Sequence, residues 1–297
     1  MAADGLGRHG QRQRGTWRSH RMPLVARIAA PPRRSEGVPC HPVDDALLLE
    51  RMWSSMRAIF RLFARGAPES KFVELDGVDA LVVPATPHRS VLNSVLYRDA
   101  ERLGDALDEL ARTYERAGVR AWTVWVHPDD EDARRLLERA GHVLDATPTG
   151  MGLELKGFAP SAPEAANWTR AGDLTALLHV NDLAYGWGDT RPWTRALGDL
   201  PSEELSVYTA SVDGKPASGL MVHQDEGDAD VWLVATLDAA RGRGLAPALL
   251  GRALVDARER GCTTSTLQAT KLGEPVYAQL GYRTLGRLEM WERRGTA

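Results

Sequence analysis

The stretch richest in chemical signals is residues 229–251. An apolar run over 231–236, Val-Trp-Leu-Val-Ala-Thr, reads as a strand, and Leu237 to Arg241 turns the chain. Arg241-Gly242-Arg243-Gly244-Leu245-Ala246 then opens a helix at Pro247, where proline is favoured. Glycines let backbone N–H groups approach a ligand closely. A helix N-terminus adds unpaired donors and about half a positive charge. Together these suit a phosphate or pyrophosphate, with Arg241 and Arg243 as direct charge partners. The plainer alternative is a glycine-rich turn with two solvated arginines. Two nucleotide signatures are excluded. Pro247 stands where a Rossmann fingerprint needs its third glycine, and the Gly-Lys-Ser/Thr end of a Walker loop is absent.

Other residues offer proton chemistry. Asp228 and Asp230 lie on the strand before the turn, and His223 on the strand before that. Asp230 and Trp232 alternate with Val231 and Leu233, so they share one face, which we expect to look into a substrate cleft. His127-Pro128-Asp129-Asp130 invites a metal reading. A strand end followed by a helix start explains it better, because Asp favours the cap and first turn, and we expect no metal. Trp187, Asp189 and Trp193 form either a site for a cationic amine or ordinary loop packing. His88 and His142 are isolated and read as structural.

The elements that position these residues occur twice. Asp76-Gly77 and Asp213-Gly214 each sit between short strands, at 71–74 and 80–83, then 206–212 and 217–222. Asp-Gly between apolar alternations signals a hairpin. Helical patterns at 103–116 and 247–260 end at Gly118 and Gly261, as helices commonly do. A strand follows each, at 121–126 and 264–269, then a short helix ending at Gly141-His142 and Gly281-Tyr282. Each copy closes with a further strand pair, around 143–144 with 152–155 and 283–285 with 287–291. The landmarks repeat at spacings of 137, 143 and 140 residues. Such a repeat predicts two related α/β units, divided near Pro160-Ser161-Ala162-Pro163.

Composition bounds the rest. The chain has 297 residues and a net charge of -3. Residues 1–40 hold eight arginines against Asp4 and Glu36, a balance of +6 that leaves -9 for the remainder. A basic head on an acidic body argues against a nucleic-acid-binding body and predicts a cleft that favours cationic amines. The Arg-, Gly- and Pro-rich head has too little apolar surface to offset chain entropy and is expected to be disordered. The longest apolar run, Val231 to Ala235, is far short of the ~20 residues a membrane helix needs. Cys40 and Cys262 make no disulfide framework, which points to a reducing cytoplasm.

Arg241-x-x-Gly244-x-Ala246 resembles the Arg/Gln-x-x-Gly-x-Gly/Ala signature of the GNAT superfamily of acetyl-CoA-dependent N-acetyltransferases. Tyr277-Ala278-Gln279-Leu280-Gly281-Tyr282 resembles its Tyr-x-x-Leu-Gly-Phe/Tyr segment. The resemblance covers about 164–294 well and the first unit only in element order. It implies an α/β (α+β) fold of two tandem GNAT-like domains, each a mixed, mostly antiparallel sheet flanked by helices. The boundaries expected are a basic extension 1–41, a degenerate domain 42–158 and an acetyl-CoA-binding domain 159–297. The resemblance further implies that acetyl-CoA pairs with the backbone of Val234, Ala235 and Thr236, and that its pyrophosphate lies on Gly242 to Ala246. Thr270 stands where many relatives carry an Asn that meets the cofactor, and Asp238 where many have Pro. Tyr277 would be the acid that protonates the leaving thiolate, with Asp230 or His223 as base. In the first unit Tyr97-Arg98-Asp99-Ala100-Glu101 replaces the signature, and its acids would repel a pyrophosphate. The expected partners are acetyl-CoA and a small amine acceptor, without nucleic acid or membrane. Two alternatives stay open: a mycothiol-synthase-like transferase, and a non-catalytic acetyl-CoA-binding regulator.

Overall fold

A computed structural model describes residues 43–160, 168–170 and 173–295. The expected extension 1–41, with Cys40, and residues 161–163 of the expected linker lie outside them.

The first half of the chain runs α1 (Asp45–Phe63), β1 (Lys71–Leu75), β2 (Val78–Val82), β3 (Ser94–Tyr97), α2 (Ala100–Arg116), β4 (Ala121–Val126), α3 (Glu131–Arg139), β5 (Val143–Ala146) and β6 (Thr149–Glu154). The second half runs β7 (Trp168–Arg170), α4 (Leu174–Ala184), α5 (Pro192–Leu197), β8 (Ser206–Val212), β9 (Lys215–Asp225), β10 (Asp228–Thr236), α6 (Leu245–Glu259), β11 (Thr264–Ala269), α7 (Glu274–Gln279), β12 (Arg283–Arg287) and β13 (Glu289–Arg294). Acidic caps start four of the helices. Asp44, Asp99, Asp130 and Asp173 each accept a backbone N–H of the first turn, which satisfies donors that a helix start leaves open. Asp130 thereby takes the capping role expected of it. No helix among the described residues is long and apolar enough to cross a membrane.

Two mixed, mostly antiparallel sheets result, ordered β1-β2-β3-β4-β13-β5 and β12-β6-β11-β10-β9-β8-β7. Each contains one parallel pair, β3 with β4 and β10 with β11. The Asp213-Gly214 turn forms as expected, with both residues at positive φ. Glu226-Gly227 makes a second such turn and joins β9 directly to β10.

The expected closing hairpins do not form. β6 pairs with β11 and β12, and β13 pairs with β4 and β5. Each sheet thus takes a strand from the other half of the chain. The connections explain why. Only Thr147 and Pro148 join β5 to β6, and a residue before proline is driven towards extended backbone. Only Leu288 joins β12 to β13, too little chain for a hairpin turn. Both links pass straight from one sheet to the other, side by side, with Leu288 N–H donating to Pro148 O at 2.9 Å.

Helix α1 seals the region between the sheets. Met52, Met56, Phe60 and Phe63 share one core with Leu81 and Leu96 of the first sheet and Met221 and Trp232 of the second. Gly150 and Gly152 on β6 make room for it. A Cβ on Gly152 would stand 2.9 Å from Leu48 Cδ1, and one on Gly150 would stand 3.1 Å from Met52 Cε.

Candidate functional site

β10 and β11 pair in parallel only over Asp228–Thr264, Ala229–Ser265 and Asp230–Thr266. Beyond Asp230 they diverge. β10 continues against β9 through Ala235 and Thr236, while β11 continues against β6 through Leu267, Gln268 and Ala269. A V-shaped opening separates them. On its β10 side the ladder is bulged between Trp232 and Ala235, and Leu233 sits at φ +55°, a conformation costly for a branched side chain. Asn181 of α4 holds that backbone. Its Nδ2 donates to Leu233 O at 2.9 Å and to Leu177 O at 3.1 Å, and the residue is fully buried. Bulges re-aim a strand beside functional sites. Val234, Ala235 and Thr236 line the β10 limb. Ser218 fixes its end by donating to Ala235 O and meeting Thr236 Oγ1 at 2.8 Å.

The turn follows directly. Gly242 and Gly244 adopt φ +75° and +73°, and nothing lies within 4 Å of where their Cβ atoms would be. Gly244 caps α6 without a side-chain partner, so the first N–H groups of the helix face open space. Leu245 and Ala246 form the first turn, half-buried, ahead of the buried Ala248. Arg243 is exposed. Arg241 pairs with Asp238 at 2.8 Å on the surface, a contact worth at most about 1 kcal/mol and readily given up to an anion.

One predicted side chain, that of Asp230, is closed off from the cleft expected for it. Asp230 is fully buried. One of its oxygens accepts the Trp232 indole N–H and the other has no partner. Phe60 and Phe63 of α1 meet Trp232 edge-on at 5.8 and 5.6 Å, so this face is packed under α1 and is not open. Burial pushes the Asp230 carboxyl well above its ordinary value, because desolvation disfavours the charged form. His223, opposite Asp230 in the β9 register, is half-buried, and burial lowers its pKa. Thr270 is exposed and its hydroxyl accepts from Gly273 N at 3.2 Å, capping the turn into α7.

Tyr277, on α7, packs in the core on the α6 side of the sheet. Ala229 and Val231 point into that core, so Asp230 points the other way and the structure does not bring it together with Tyr277. Burial, and then the neighbouring Tyr185, raise the Tyr277 pKa. The phenol therefore stays protonated. Tyr185, Trp187 and Trp193 form a stack, with ring centroids 5.3 and 5.9 Å apart. Asp182 fixes its far end by accepting from Trp193 N and from Thr194 N and Oγ1. Neither Asn181 nor Asp182 was singled out from the sequence. The available signal is an adjacent polar pair in the mostly apolar 174–184 pattern.

The matching place in the first half is filled. β3 and β4 diverge after two parallel pairs. Tyr97 donates to Asp130 at 2.7 Å, His127 Nε2 lies 3.1 Å from Tyr97 O, and Trp53 packs on His127 at 4.0 Å. Asp99 caps α2 where an anion would have to sit.

Residues 174–282 match the model of the acetyltransferase (GNAT) family. Over 92 residues the chain is 29% identical to acetyltransferase Atu2258 of Agrobacterium fabrum, a match covering 31% of this chain and 67% of that protein. A GCN5-related N-acetyltransferase from Kribbella flavida superposes with a TM-score of 0.59 at 18% identity, covering 82% of this chain and 96% of that one. A tandem GNAT protein from the clavulanic acid biosynthesis pathway gives 0.53 at 13%, covering 84% and 96%. At such identities the two structures speak for the fold, here a tandem one.

Proposed function

Because this chain carries a domain of the acetyltransferase (GNAT) family over residues 174–282, we propose that it moves acetyl from acetyl-CoA to an amine of a small molecule or peptide by direct attack. The observation that carries this reading is the diverging β10–β11 pair, bulged at Leu233, running into a glycine turn with open space around it. The free edge of Val234 to Thr236 suits strand-like pairing with an extended pantetheine arm. The amides from Gly242 to Ala246 suit its pyrophosphate. Residues 159–297 would then hold the cofactor, and 42–158 would wall the acceptor side.

Acetyl-CoA supplies an activated acyl carbon, to which the amine nitrogen bonds as the C–S bond breaks. Tyr277 gives its proton to the departing sulfur; burial keeps that phenol protonated until the thiolate forms, at the cost of making it a weaker acid. His223, half-buried with lowered basicity, is the candidate for receiving the amine proton; Asp230, expected as the other base, is sealed under α1 and out of reach of the acceptor.

The sealing of Asp230 favours a second reading, acetyl-CoA binding without turnover. A free-thiol release assay over a panel of amines decides between them. Amine-dependent release of CoA supports the transferase. Tight CoA binding with no release on any amine supports the regulator, and no CoA binding removes both.

A further inference from the structure

An open cavity of about 390 Å³ lies away from the glycine turn, between the loop after β2 and the segment leading into α5. His88, Arg89, Arg195 and Arg294 line it, together with the hydroxyl-bearing Thr86 and Thr190. The acidic body thus carries a cationic cavity here. The reason is local. Arg294 pairs with Glu292 at 2.8 Å, whereas Arg89 and Arg195 have no carboxylate partner among the described residues. Unpaired guanidinium groups around one cavity are costly by mutual repulsion and offer forked donors to a carboxylate or phosphate.

Aromatic contacts lead from the cavity to Tyr185, a neighbour of Tyr277. The Arg89 guanidinium lies over Trp187, 4.7 Å from its centroid. Trp187 stacks on Tyr185 at 5.3 Å, and Tyr185 is near enough to Tyr277 to raise its pKa further. The face of Trp187 therefore already holds a cation, which disfavours it as a seat for a cationic amine.

We propose that this cavity binds an anionic group of the acyl acceptor, a carboxylate or a phosphate, several bonds away from the amine that is acetylated. Arg89 and Arg195 grip the anion, and the Tyr185–Trp187 stack runs beneath the connecting chain. This deepens the transferase reading and rests on it for the word acceptor, but the cavity can be tested by binding alone.

The probes are ω-amino carboxylic acids of increasing length, their methyl esters and the matching ω-aminoalkyl phosphates. Titration calorimetry on the full chain saturated with CoA should show the acids and phosphates binding at least tenfold more tightly than the esters. Preference for phosphates over acids, or the reverse, identifies which anion the site takes. Arg89→Gln with Arg195→Gln should abolish the advantage, and in the thiol assay should cut the acid-to-ester ratio of kcat/KM at least tenfold. Arg195→Glu, on an exposed side chain, should turn the preference towards diamines. Equal binding of acids, phosphates and esters overturns the proposal. So does weakened CoA binding in the arginine variants, which would assign these side chains to the phosphates of CoA. Anion-selective binding with no turnover on any amine leaves the cavity assignment standing and overturns the transferase reading instead.

Discussion

Single residues differ in how their chemistry could be foreseen. Tyr277 was legible because its segment has a recognisable spacing, and the structure adds the burial that keeps its phenol protonated. Tyr277→Phe keeps the packing and removes the proton. Turnover should fall on the order of 10²-fold, the usual worth of a positioned acid, while CoA affinity measured by calorimetry stays unchanged. An unaltered rate would assign Tyr277 to packing. Asp230 was legible as an acid on a strand face but not as a buried one, since the side chains that pack on its partner Trp232 come from α1, about 170 positions earlier. His142 reads as structural in the sequence, and its environment makes a prediction about pH. Burial, followed by the charge of Arg293, lowers its pKa from 6.5 to about 4. A group depressed in the folded state contributes stability fully above its unfolded pKa and loses that contribution as pH falls through the folded one. The protein should therefore lose up to about 3 kcal/mol between pH 6.5 and 4 through this residue. Urea unfolding across that range should show a shallower decline for His142→Leu. An identical slope would mean that the ring is not desolvated in solution.

At the scale of elements, the strand–turn–helix unit from β10 to α6 was readable because it is local. Its glycines, its proline and its apolar alternation all act within a few residues of one another. Gly244→Asp places a Cβ at φ +73°, a left-handed backbone that costs about 1–2 kcal/mol for a residue other than glycine. It also adds a negative charge at the helix start. CoA binding should disappear in calorimetry while the fold survives, since the position is open. Unchanged affinity would move the phosphate site elsewhere. The bulge was not readable, because nothing in Trp232-Leu233-Val234 announces a positive φ. It is fixed from another element, through the Asn181 bond to Leu233 O. Asn181→Leu keeps the volume and leaves that buried carbonyl unpaired. Stability should drop by about 1–3 kcal/mol, and kcat should fall more than CoA affinity as the β10 edge loses its shape. A drop in stability with kcat intact would make Asn181 a purely structural residue.

For the whole molecule, the repeat in the sequence announced two related units but not how they join. Element order along the chain is preserved whether a closing strand returns to its own sheet or enters the neighbouring one, so periodicity carries no information on that choice. The decision lies in two short links. Pro148 keeps the first link extended, and Leu288, buried in the shared core, leaves the second no room to reverse. The consequence is mechanical coupling of the halves. β13 sits between β4 and β5 and pairs with both. Removing it would expose the edge of β4 and detach β5 from its sheet, although the missing residues lie at the far end of the chain from both. Ending the chain after Arg287 should therefore unfold the first half more than the second. In hydrogen exchange, the amides of β3 and β4 should lose protection well before those of β9 and β10. Supplying a peptide of residues 288–297 in trans should restore protection to β4, because an open strand edge is a template for pairing. Equal loss in both halves would instead mean that the shared core under α1 makes the two sheets a single cooperative unit.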